Sequence, residues 1–331
     1  MLNLKTPQKI IIKTFLFLLI YSLLGNFALA EINNYEQDIK INLNPEFPNA
    51  NSNINAKAEF YLTDLDRATI RWYINGVLKK EGRGEKEFSF QTSDFGKSTQ
   101  LSVTVSSENI GTAKKEIIII PADVDVLWEA ETFVPYFYKG KALNTHESII
   151  KLVAFPNFID LNGNKISDQN LIYTWEEDGK NLTDKSGYGK NILSITGPQL
   201  FRKSIITLEV SNLDKNIKSK KIISLKSFNP EIIFYEKNPL LGVLNNKALE
   251  KNSEISNEEI NIIAYPFFFS TQNNQISYNW TVDENKIDTQ KNEIIIRNTN
   301  GETGFSTVSL EIKNLNRIMQ FAKNSFNLIF K

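Results

Sequence analysis

LIYTWEEDGKNLTDKSGYGKN (residues 171–191) reads as a hairpin: an alternating run through Trp175, an Asp178-Gly179 turn, and a return. A matching stretch lies about a hundred residues to either side, TIRWYINGVLKKEGRGEKE (69–87) and ISYNWTVDENKIDTQKNE (276–293). Trp72 and Trp175 are 103 residues apart, and Trp175 and Trp280 are 105. A fixed period of that length, with a Trp before each turn, is the signature of a repeated structural unit.

Downstream of each Trp comes an alternating run, QLSVTVSS (100–107), IITLEVSN (205–212) or TVSLEIKN (307–314). Each is followed by a polar turn and a returning apolar run: KKEIIII, SKKIISL and NSFNLIF. Upstream, the second and third repeats share KLVAFPNF (151–158) and NIIAYPFF (261–268). Period-two alternation with turn residues every eight to twelve positions reads as strand, and no stretch holds a helical period. The expected fold is all-β: three tandem immunoglobulin/PKD-like antiparallel β-sandwiches behind an N-terminal signal helix. Trp72, Trp175 and Trp280 are expected in the cores, where a ring fills the space between two sheets. Asn75-Gly76 and Asp178-Gly179 fit type I′ turns, which need positive φ at both positions. The third repeat has Asp283-Glu284-Asn285 there, and without Gly the expectation is a longer loop with Asn285 left-handed.

These residues resemble a known family. YTWEEDG and YNWTVDE, followed by LEVSN and LEIKN, look like the Trp strand and final hairpin of PKD/Ig-like β-sandwich domains of exported bacterial proteins. The first repeat matches through WYING and SVTV. The fuller Trp-x-Phe-Gly-Asp-Gly motif is absent, so the resemblance implies the class and no narrower sub-family. Such modules are spacers, adhesion units or polymer-binding appendages.

Residues 1–30 are of another kind. Lys5, Lys9 and Lys13 precede the apolar run TFLFLLIYSLLGNFALA (14–30), which ends in Ala28-Leu29-Ala30 before Glu31. This is the pattern of a secretory signal peptide, either cleaved or retained as an anchor. The chain is expected to be exported to the cell surface, the periplasm or the medium. It has no cysteine, so its units are held by packing alone. The expected domains are 31–121, 122–228 and 229–331, with boundaries at Pro121 and Pro230. Prolines in such short linkers suggest a stiff rod, on the order of 100 Å long for three strand-length units.

Composition excludes several functions. Thirty-eight basic residues balance thirty-eight acidic ones, leaving no field to draw in nucleic acid. A single histidine, His146 in the polar stretch NTHES, and no cysteine leave no zinc set of the common kind and no His-dependent triad. His146 is read as a solvated loop residue. Ser148 and Lys151 have Ser-x-x-Lys spacing, but an odd offset in a strand sends side chains to opposite faces. Gly82-Arg83-Gly84 and Gly187-Tyr188-Gly189 lack the following helix that a phosphate loop needs. Glu176, Glu177 and Asp178 are read as a solvated hairpin tip. No catalytic residue and no cofactor are expected, apart from Ca²⁺ as a candidate ligand of Asp123 and Asp125 at the first junction.

Aromatic stretches supply the candidate contact residues: Tyr136, Phe137 and Tyr138 in FVPYFYKG (133–140), and Phe267 and Phe268 in YPFFFS (265–270). Rings beside polar groups stack on sugars or anchor a partner, or else pack against the next domain. The reading is a non-enzymatic interaction or structural module whose partner is a protein or polysaccharide of the cell envelope. Its rivals are a carbohydrate-binding module, a periplasmic scaffold subunit, and a hydrolase built on two converging carboxylates. Membrane contact runs only through the N-terminal segment, if that is retained.

Overall fold

Every tryptophan expected in a core is fully buried, and a two-layer sandwich closes around each. The computed structural model describes residues 38–331 apart from 199–201, 256–257, 273–274, 300 and 302, so the signal segment 1–30 lies outside the described residues. Among the described residues no helix is long and apolar enough to cross a membrane.

The first unit contains β1 (Lys40–Asn44), β2 (Asn53–Glu59), β3 (Thr69–Ile74), β4 (Val77–Arg83), β5 (Glu87–Gln91), β6 (Thr99–Ser107) and β7 (Gly111–Ile119). Sheet β1-β2-β5 faces sheet β4-β3-β6-β7. The second unit contains β8 (Asp123–Ala130), β9 (Ile149–Asn157), β10 (Ile172–Glu177), β11 (Lys180–Asn181), β12 (Gly187–Tyr188), β13 (Ile192–Thr196), β14 (Lys203–Ser211) and β15 (Lys218–Lys226). Its sheets are β13-β9-β8 and β11-β10-β14-β15, with β12 also on β10.

The third unit contains β16 (Glu231–Asn238), β17 (Gly242–Val243), β18 (Asn252–Ile255), β19 (Glu259–Phe267), β20 (Ile276–Val282), β21 (Asn285–Ile287), β22 (Glu293–Arg297), β23 (Gly304–Asn314) and β24 (Phe321–Phe330). It repeats the plan as β17-β16-β19-β22 against β18-β24-β23-β20-β21, adding β18 parallel to β24.

The Trp strands sit at equivalent registers. Trp72 faces Val103, Trp175 faces Leu208 and Trp280 faces Leu310. A buried indole N–H needs an acceptor, and each finds a backbone carbonyl beyond its hairpin: Glu85 at 2.8 Å, Lys190 at 2.9 Å and Lys291 at 3.0 Å. The next residue's carbonyl, of Lys86, Asn191 or Asn292, accepts from the N–H of Ala58, Ala154 or Ala264 in the opposite sheet. One short connection therefore holds the Trp and ties the two layers.

The Gly-x-Gly pairs serve this connection. Gly84 and Gly189 have φ of +74° and +68°, which glycine adopts without cost, and each precedes the carbonyl that accepts from the indole.

The third hairpin corrects the sequence expectation. It has no longer loop, and Asn285 is not left-handed. Asp283 and Glu284 form a two-residue turn with φ of 48° and 67°, matching Asn75-Gly76 (49°, 77°) and Asp178-Gly179 (50°, 77°). The cause lies in the first turn side chain. Asn75, Asp178 and Asp283 each accept a backbone N–H through Oδ1, from Gln100, Ile205 and Thr307, at 2.9, 2.8 and 2.7 Å. Asp178 is thus a turn lock rather than a merely solvated carboxylate, and Glu177 accepts the Ser204 hydroxyl at 2.8 Å.

The connections leave no slack. Ile119 belongs to the first core, while Ile120 and Ala122 belong to the second. Pro121 and Pro230 are both buried. The first and second units also share a cavity of about 240 Å³ lined by Phe47, Pro48, Lys215 and Lys218, among others, and Lys220 lies 5.9 Å from the Phe47 ring.

Candidate functional site at the junction of the second and third units

Chain from the second unit lies along the third. After β8, Phe133 donates its N–H to the Phe269 carbonyl and its carbonyl accepts from Phe268, both at 2.7 Å. Thr271 donates to the Glu131 carbonyl at 3.0 Å, and Thr132 and Ser270 form an antiparallel bridge. This short ladder crosses between the units.

The aromatic stretch 133–138 continues over the outer face of β16 and β19. Phe137 meets Tyr235 and Tyr265 edge-on at 5.2 and 5.4 Å, and Tyr138 meets Phe267 and Phe268 at 5.4 and 6.0 Å. Burial pushes the phenols of Tyr235 and Tyr265 above the ordinary tyrosine value, so they stay neutral. Of the two readings of these rings, the arrangement follows packing between units. Phe267 and Phe268 are buried, Phe137 and Tyr138 are half-buried, and Tyr136 alone of the five is exposed, at 84%. The physical reason is that two aromatic stretches distant in sequence cover one another.

Beneath the rings lies a polar layer. Gln320 is fully buried; its Nε2 donates to the His146 carbonyl at 2.6 Å and to Thr145 Oγ1 at 3.3 Å. Its Oε1 accepts from the Ser270 N–H at 3.0 Å and from Asn314 Nδ2 at 3.1 Å. Thr145 Oγ1 donates to the Phe268 carbonyl at 2.8 Å, and Arg317 Nε donates to the Glu147 carbonyl at 2.9 Å. Ser148, the serine of the Ser-x-x-Lys spacing, closes a local turn by donating to the Thr145 carbonyl at 2.8 Å.

His146 is the largest departure from the sequence reading. It is not solvated: it is 4% exposed, and its Nδ1 lies 2.9 Å from Ser227 Oγ. Its Nε2 is buried without a partner, as are Asn144 Oδ1 and Ser270 Oγ nearby in the chain's junction segments. A cavity of about 380 Å³ opens beside it, lined also by Leu143, Ser227, Phe228, Asn229, Glu231 and Phe268. The Ser227–His146 distance is that of a nucleophile and a base. However, the second ring nitrogen, which an orienting group would hold, has none. Sequence reasoning missed Ser227, Phe228 and Gln320 because nothing local marks them.

The candidate Ca²⁺ ligands are placed differently. Asp125 is paired with Lys221, whose Nζ donates at 2.9 Å; that bond holds the ammonium above its ordinary pKa. Asp123 Oδ1 accepts the Val124 N–H at 2.8 Å. Among the described residues no group of three or more His, Cys, Asp or Glu side chains could hold a metal ion. Asp125 and Asp123 thus lie on one strand face, the first paired with Lys221 and the second bonded to the backbone beside it.

These folded units with bonded junctions define the class: tandem immunoglobulin-like antiparallel β-sandwiches. No protein-family model and no curated protein matches the chain. Solved structures do match it. The three N-terminal domains of the bacteriophage RB49 highly immunogenic outer capsid protein (Hoc) are 11% identical, over 88% of this chain and 97% of that one, with a TM-score of 0.27. The central fibronectin-III array of RIM-binding protein is 14% identical over 88% and 96%, with a TM-score of 0.29. A Bacteroides ovatus mixed-linkage glucan utilization locus protein, SGBP-B, in complex with a mixed-linkage heptasaccharide, is 13% identical over 88% and 70%, with a TM-score of 0.20. Likeness at this level carries no argument about what this chain binds, and the fold rests on its own sheet order.

Proposed function

We propose that this chain is an exported, non-enzymatic module that presents or spaces an interaction surface at the cell surface or in the envelope. The single observation that carries the reading is the bonded junction between the second and third units. An enzyme needs a cleft with convergent reactive groups; a spacer needs neighbouring units fixed in angle. The Thr145, Gln320 and Phe133 bonds and the interleaved rings supply that fixation. The basic and apolar composition of residues 1–30 supports export.

Protease shaving of intact cells that make the protein, followed by mass spectrometry, tests the location. Release of peptides from residues 31–331 without breaking the envelope is the expected result. Complete protection until the envelope is opened would overturn surface display and favour a scaffold inside the envelope.

A further inference from the structure

We propose that copies of this chain associate end to end, the third unit of one copy docking its Leu240 and Leu241 tip against Tyr61 and Leu62 on the first unit of the next. The inference deepens the spacer reading and rests on it, because a spacer gains reach by repetition. Shaving reads location while sedimentation reads assembly, so either can fail alone.

The chain already makes this kind of contact twice. In each unit the connection after the first strand leads back into the strand paired with it, and it carries apolar residues around a proline. In the first unit it brings Phe47 and Pro48 to the cavity shared with Lys215 and Lys218 of the second. In the second unit it lays Phe133 and Phe137 on the third, with backbone bonds to Phe268 and Phe269. The third unit's connection starts with Pro239, Leu240 and Leu241, and there it meets nothing: the two leucines are 95% and 77% exposed. The tip is nevertheless ordered. Strand β17 closes it onto β16, and Asn238 Oδ1 accepts the N–H of Leu240 at 2.9 Å and of Leu241 at 3.0 Å. Apolar side chains held out in water leave a hydrophobic gain that a partner's apolar surface recovers.

The receiving side repeats as well, in the segment directly after that paired strand. In the second unit Ile159 takes the first unit so closely that a Cβ on Gly96 would lie 2.7 Å from its Cγ2. In the third unit Phe268 and Phe269 take Phe133. In the first unit Tyr61 and Leu62 follow β2 in the same way and are 87% and 49% exposed. Thr63 fixes this segment by donating to Ser107 Oγ at 3.0 Å. The strand registers put the two unmet surfaces at opposite ends. Glu59 pairs with Lys40 where the first unit starts, and Asn238 ends a strand whose other end, Glu231, pairs with Phe267 at the junction. Among the described residues no unit precedes the first or follows the third, so a second copy supplies the missing half at either end. Contact between unlike ends is heterologous and grows without closing. Contacts between neighbouring units bury about 600–1,500 Å², at the small end for stable complexes, so the association is weak.

Sedimentation velocity of the mature chain, residues 31–331, from micromolar to near-millimolar concentration tests the contact. The expected result is a sedimentation coefficient that climbs past the dimer with no plateau. Leu240→Asp combined with Leu241→Asp, and separately Tyr61→Asp, should each weaken association about tenfold or more, as loss of an apolar anchor does. All three side chains are exposed, so the fold is retained, which circular dichroism checks; should Tyr61→Asp fail to fold, Leu62→Ser replaces it with the same expected direction. Mixing the two variants reads the polarity of the contact. The intact tip of one fits the intact receiving segment of the other, so a one-to-one dimer forms and growth stops there. The proposal is overturned if the unaltered chain stays monomeric throughout, as it would were the tip made for a foreign partner. A plateau at the dimer, a folded variant that associates like the unaltered chain, or a mixture that stays monomeric would each overturn it too.

Discussion

An indole buried between two sheets is stable only if its N–H is met, and this protein meets it the same way in every unit. Trp175 fills the core of the second unit and donates to Lys190, whose neighbour Asn191 then bonds Ala154 across the sandwich. Replacing Trp175 by Phe keeps an aromatic ring but leaves the Lys190 carbonyl without that donor. The expected loss is about 1–3 kcal/mol, confined to the second unit. Hydrogen exchange of core amides in the intact chain would read it, since exchange resolves local stability. Unchanged protection in β10 and β14 would show that the bond contributes nothing. The burial of these three residues was legible in sequence, because the spacing of Trp72, Trp175 and Trp280 exposes the repeat. The role of Gly84 and Gly189 was not: their motif looks like a phosphate loop until the indole acceptor beside each is seen. Ala58 escaped too, because NINAKAEF lacks the proline that makes the other two stretches recognisable as a pair.

The hairpin after each Trp has two turn positions with opposite demands. The first wants a side-chain oxygen and the second wants no side chain at all. In the third unit Asp283 satisfies the first demand and Glu284 violates the second, with φ of 67°. Glu284→Gly is expected to stabilise the third unit by about 1 kcal/mol, because a left-handed L-residue costs roughly 1–2 kcal/mol. Asp283→Ala should destabilise it by a similar amount, about 1 kcal/mol, through the lost bond to the Thr307 N–H. Hydrogen exchange or denaturant unfolding of the two variants checks the signs, and effects in the same direction would refute the division of roles. Rules that look for Gly at the second position read two turns correctly and misjudged this one. The strands themselves were legible, since alternation in stretches such as IITLEVSN follows the burial of β14 closely.

At the scale of the molecule, the decisive contacts join residues far apart in the chain. Thr145 and Phe268 are 123 positions apart, and His146 and Gln320 are 174 apart. No local pattern marks such pairs, which explains why the histidine read as solvated is a junction residue. The ring-rich stretches 133–140 and 265–270 did point to the junction, as candidates either for a partner or for packing against the next domain, but nothing local tells which residues they would meet. The junction combines ladder bonds, interleaved rings and a buried glutamine, and it fixes the angle between the second and third units. Because the chain has no cysteine, Ser194→Cys and Ser325→Cys, both at exposed positions, give specific spin-label sites in the two units. Distance measurement between them by pulsed electron paramagnetic resonance tests the fixed junction directly. A single narrow distribution is predicted, broadening when Gln320→Ala removes its four side-chain bonds. A broad distribution in the chain with Gln320 intact would contradict the account.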